Sequence, residues 1–81
     1  MNREILKDYT IDAIQALGGE ASHIDIARYI WQCHENELRS SGDFFFRWQY
    51  DLRWAITSLM AERIIEKIGR RNRYSLFSLV E

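Results

Sequence analysis

The sequence predicts an α+β fold in which three helices are followed by a β-hairpin. Three stretches carry apolar residues at helical spacing. Two β-branched and aromatic runs then flank a short Gly- and Asn-containing turn, and glycines mark the boundaries between pieces. Eighty-one residues is the length of one domain. Below about 70–80 residues a core rarely supplies more than roughly 3–5 kcal/mol. An apolar content of 47% and an aromatic share of 14% offset that small size. So many aromatics cannot all fit inside, and some are expected at the surface.

The first helix is expected over about residues 3–17. Ile5, Leu6, Tyr9, Ala13, Ala16 and Leu17 fall on one side, and Ile11 and Ile14 widen it. Gly18 follows, where a helix end often turns to positive φ. The second helix is expected over about 23–37. Ser22 is its N-cap, Asp25 the acid of a capping box, and Ala21 with Ile26 a weak hydrophobic staple. Ile26, Ala27, Ile30 and Trp31 give its buried stripe. Glu20–Ser22, just before it, is placed to add a strand to the hairpin.

The polar stretch Arg39–Asp43 interrupts the pattern, with Asp43 as N-cap of a third helix over about 44–63. Its core stripe is Phe45, Trp48, Leu52, Ala55 or Ile56, Leu59 and Met60. The opposite side presents Arg47, Tyr50, Asp51, Arg53, Trp54, Thr57 and Ser58. The hairpin strands are expected over about 64–68 and 73–79, around a tip of Gly69, Arg70, Arg71, Asn72 and Arg73. A helix–turn–helix pair followed by a hairpin is a winged helix-turn-helix.

Composition excludes several function classes. Cys33 is the only cysteine, so an internal disulfide framework and a multi-cysteine zinc site are ruled out. With no apolar run of membrane-spanning length and no signal-peptide core at MNREILKD, a cytoplasmic protein without membrane contact is expected. Cys33 and His34 are adjacent and diverge by about 100° on a helix, so they do not share an ion. Ser22, His23 and Asp25 are explained by capping, and no Ser/His/Asp or Cys/His set and no glycine-rich phosphate loop is present. No enzyme, metal site or cofactor is expected.

Net charge is −1, yet it is unevenly spread. Residues 1–46 hold four basic against eight acidic side chains, whereas residues 47–73 hold seven against three. That polarity can steer one face toward an anion. Arg70, Arg71 and Arg73 at the hairpin tip suit phosphate oxygens or a narrow minor groove. The plain alternative is a charged turn that blocks edge-to-edge sheet association. Arg47 and Gln49 lie near the start of the third helix, with Tyr50 and Arg53 beyond, where major-groove reading residues sit in helix-turn-helix docking. Ordinary solubilising pairs such as Arg47–Asp51 explain the same residues equally well. Phe44, Trp48 and Trp54 are assigned to a dimer or partner interface, in preference to base stacking.

The segment Arg53-Trp54-Ala55-Ile56-Thr57-Ser58-Leu59, followed by Met60–Ile65 and the basic hairpin to Leu76, resembles the N-terminal winged-helix domain of Mrr-type restriction endonucleases. That family carries an "RWA…L" segment on the third helix, then a "GLI"-like strand and a short wing. The run LGGEAS…DI at residues 17–26 is similar to the start of the second helix in related winged-helix families. The resemblance extends from about residue 5 to 77. It implies a DNA-binding accessory module and a partly buried Trp54. Two departures stand out: there is no nuclease domain, so no cleavage is expected, and Glu62-Arg63 replace a small residue and glycine. The expected function is therefore duplex DNA binding by a small dimeric regulator, with Arg47, Gln49, Tyr50, Arg53, Arg70, Arg71 and Arg73 as contacts. The rival is a winged helix that binds a protein partner, as an inhibitor or adaptor, without DNA.

Overall fold

A computed structural model describes residues 2–80. The elements run α1 (Ile5–Ala16), β1 (Glu20–Ser22), α2 (His23–Arg39), a 3-10 turn (Gly42–Phe46), α3 (Trp48–Ala61), β2 (Ile65–Arg71) and β3 (Tyr74–Leu79). The class is α+β: three α-helices and a three-stranded antiparallel sheet in the order β1-β3-β2. Glu20–Ser22 does form the added strand, pairing with β3 from Glu20 opposite Ser78 to Ser22 opposite Leu76.

Local chemistry explains each boundary. After α1, the Gly19 amide donates to the Ile14 carbonyl at 2.9 Å and the Gly18 amide to the Gln15 carbonyl at 3.3 Å. This is a Schellman closure, and Gly18 supplies its left-handed residue at φ +95°. At the start of α2 the expected capping box is present. The Asp25 amide donates to the Ser22 hydroxyl and the Ser22 amide to the Asp25 carboxylate, both at 3.2 Å. A second Schellman closure ends α3, with the Ile64 amide donating to the Leu59 carbonyl and Arg63 in the left-handed position at φ +62°. The third helix thus stops at Ala61, short of residue 63.

Its start also differs from expectation. Phe44–Phe46 lie in the 3-10 turn, and Arg47 at φ −120° breaks the chain before α3 begins at Trp48. Asp43 caps neither element through its side chain. Phe44 enters the core while Phe46 points outward.

The core joins all three helices to the sheet. Leu6 and Ile14 of α1, Ile26 and Ile30 of α2, Leu52 and Leu59 of α3, and Ile65 and Phe77 of the sheet are buried together. Thr10 is buried among them because its hydroxyl donates to the Leu6 carbonyl at 2.6 Å. Ala16 and Leu17, expected inside, are exposed at the end of α1. Trp31 stacks on Trp48 with rings 5° from parallel and centroids 6.2 Å apart, and Phe45 tilts against the same indole. Much of the aromatic surplus is absorbed here.

The hairpin is longer and its turn tighter than the sequence suggests. β2 continues to Arg71, opposite Tyr74, leaving Asn72 and Arg73 as the loop, with Asn72 at φ +57°. Gly69 belongs to the strand. The register slips between Lys67 and Gly69, so Ile68 is the extra residue of a β-bulge and Gly69 takes φ +151°.

Candidate nucleic-acid interface

The exposed side of α3 is a stripe of Gln49, Arg53 and Thr57, spaced by four residues and flanked by Tyr50. Tyr50 is 79% exposed. Arg47 is exposed just before the helix, at the break. Four of the residues expected to contact DNA thus lie at or along one side of α3.

The hairpin arginines separate. Arg71 points back toward the body, its guanidinium 3.7 Å from both Glu20 and Asp25. Arg70 pairs in the ladder with Ser75 and shares that residue's face of the sheet, together with Phe77 two positions on. The bulge is responsible. Without the extra residue at Ile68, strict alternation would place Gly69 on that face and turn Arg70 to the other. Arg73 lies in the loop and borders a cleft whose other walls are Arg53, Ile56, Thr57 and Met60 of α3, His23 of α2, and Tyr74, Ser75 and Phe77 of β3. Among the described residues, neither Arg70, Arg73, Arg47 nor Arg53 is within ion-pair distance of a carboxylate, and no carboxylate borders the cleft. Three arginines read as one cluster therefore separate: Arg73 borders the cleft with α3, Arg70 lies on the Ser75 face of the hairpin, and Arg71 is held against Glu20 and Asp25.

His23 forms part of this cleft, and its Nε2 is buried without a hydrogen-bond partner. Burial, and then the positive charge of Arg53, push its pKa below the ordinary 6.5. His34 has a different setting. Its ring stacks on Tyr9 at 3.7 Å, and its Nδ1 lies 3.1 Å from Glu37. Glu37 in turn has its pKa lowered, first by the bond to His34 and then by the Tyr9 hydroxyl.

The assignment of Phe44, Trp48 and Trp54 to a partner interface is corrected. Phe44 and Trp48 are 8% and 3% exposed and pack into the core. Trp54 is half-buried beneath α1, with the Arg3 guanidinium 4.1 Å from its ring centroid and the Lys7 ammonium 5.2 Å away. Lys7 is itself held by Glu62 at 2.7 Å. Asp51, read from sequence as surface, is 4% exposed in the first turn of α3, where the helix dipole favours an acid. The exposed aromatics are instead Phe46, at 83%, Tyr50 and Tyr74.

Sequence reasoning left Thr57, Ser75 and His23 out of the site. Thr57 was within reach, because it lies one turn beyond Arg53. Ser75 and His23 join only through tertiary closure of the hairpin over α3. No protein-family model, curated relative or solved structure matches the chain. Among the described residues, no helix is long and apolar enough to cross a membrane.

Proposed function

We propose that the chain is a winged helix-turn-helix module that binds duplex DNA. α3 is the recognition helix and the β2–β3 hairpin the wing. One observation carries this reading: the exposed polar stripe of α3 runs directly into the carboxylate-free cleft bordered by Arg73. Base edges are read by side chains such as Arg, Gln and Asn on a helix in the major groove, while phosphate contacts fix its register. Gln49 and Tyr50 supply the first kind of group. Arg47, Arg53, Arg70 and Arg73 supply the second. The Arg53-Trp54-Ala55 likeness to the Mrr-type N-terminal domain agrees with this reading, and no catalytic step is part of it.

Fluorescence anisotropy with random-sequence duplex at about 50 mM salt tests it. Binding is expected, with affinity falling steeply as salt rises. No binding at that salt would sink the proposal.

A specific observation favours a second reading, in which the module binds protein. Phe46 and Tyr50 are exposed beside the groove bordered by Trp31, Phe45, Trp48 and Gln49. Such aromatic surface is common at interfaces. Sedimentation of wild type and Phe46→Ser separates the readings. A dimer lost in the variant supports the protein interface, and a monomer in both leaves this groove without a homodimer role.

A further inference from the structure

The cleft between α3 and the wing has three properties that occur together nowhere else in the described chain. Two arginines from different elements, Arg53 and Arg73, border it without a carboxylate partner. Hydroxyl groups of Thr57, Ser75 and Tyr74 stand on the same walls, able to donate to an oxyanion. Its inner end holds His23, whose buried Nε2 has no hydrogen-bond partner. Arginine forks and hydroxyl donors converging without any acid are complementary to a phosphate, and the volume, about 380 Å³, admits one with part of its attached sugar.

We propose that this cleft is a phosphate site for one phosphodiester of the bound nucleic acid, held by Arg53 and Arg73, and that His23 takes up a proton when the phosphate enters. The inference rests on the DNA-binding reading and adds to it a specific phosphate and a proton. In the free protein the groups facing His23 across the cleft are cationic or neutral: Arg53 from α3, and Arg73 and Tyr74 from the wing. A proton on the imidazole there has no anion to balance it, and burial and Arg53 both oppose it. A phosphodiester on the two guanidinium groups brings one negative charge into the cleft and weakens that positive field. Protonation of the imidazole is then less strongly opposed than in the free protein. Because binding takes up the proton, affinity rises as pH falls between the bound and free pKa values of His23, by up to about tenfold per pH unit.

The test is an NMR titration of the His23 ring in the full chain, with and without random-sequence duplex at low salt. The second imidazole signal belongs to His34, which stacks on Tyr9 and does not border the cleft. The His23 midpoint is expected below 6.5 in the free protein and to climb by about one unit or more on saturation with duplex. Arg53→Gln and Arg73→Gln, both at exposed positions, should suppress the climb even when duplex is raised to saturation. His23→Gln should remove the pH dependence of affinity. Duplex that binds while the His23 midpoint stays still overturns the inference and leaves DNA binding intact. If duplex does not bind, the DNA reading fails, and an inorganic phosphate arm judges the cleft itself. A climb with phosphate that Arg53→Gln abolishes assigns the site to a free phosphate compound, and no climb overturns the phosphate site altogether.

Discussion

Arg63 shows how a single backbone angle shapes this molecule. It closes the Schellman motif after α3 in the left-handed region, at φ +62°. For an L-residue with a Cβ that conformation costs roughly 1–2 kcal/mol, part of which glycine gives back through its greater freedom in the unfolded chain. Arg63→Gly should therefore stabilise the protein by about 0.5–1 kcal/mol, read as a higher urea midpoint at unchanged m-value. His23 sets a second expectation, in pH. Its folded pKa lies below 6.5, so the unfolded chain binds the extra proton as pH falls. Stability is full above the unfolded value and declines as pH drops through 6.5 toward the folded pKa. Thermal melts from about pH 7.5 to about 5.5 should show this loss, and His23→Gln should flatten it. Glu37, with its own pKa lowered, acts in the same direction below 4.5.

Among the elements, α2 was the most legible in advance. Ser22 and Asp25 announce its start, and both reciprocal bonds are in place. Ser22→Ala should cost about 1 kcal/mol in chemical denaturation, while Ser22→Asp, which keeps a capping oxygen, should recover most of it. The hairpin was legible as a hairpin but not in its register. Gly69 and Asn72 both signal turns, and pattern alone cannot tell a bulge glycine from a turn glycine. That one-residue slip decides which face of the hairpin Arg70 and Arg71 take. Arg70→Gln and Arg73→Gln are each expected to lower the salt slope of DNA binding by about one unit. Arg71→Gln, whose guanidinium already faces Glu20 and Asp25, should change it much less. Equal effects from all three would mean that the ion pairs do not hold Arg71 in solution. The start of α3 is ambiguous in sequence for a related reason: Phe44, Phe45, Phe46 and Trp48 suit a continuous helix as well as a 3-10 turn, and in the fold Phe45 and Trp48 both lie against Trp31.

At the scale of the whole molecule, the uneven charge seen in the sequence becomes a shape. The basic stretch 47–73 supplies α3 and most of the hairpin, and the fold closes one over the other. The first half contributes most of the acids but places His23 at the cleft. That contribution left no trace in the sequence beyond a histidine after a cap. The aromatic surplus was visible from composition, yet its distribution was not: the fold buries Phe44 and Trp48, covers Trp54 with Arg3 and Lys7, and leaves Phe46 and Tyr50 outside. In the proposed mode of binding, α3 and the wing together form a single duplex-binding face. Amide chemical-shift mapping during titration with random-sequence duplex tests it most directly. Shifts are expected to concentrate at Gln49, Arg53, Thr57, Arg70, Arg73 and Ser75, with α1 quiet. Shifts confined to Phe46 and the groove beside Trp31, or no shifts at low salt, would contradict it.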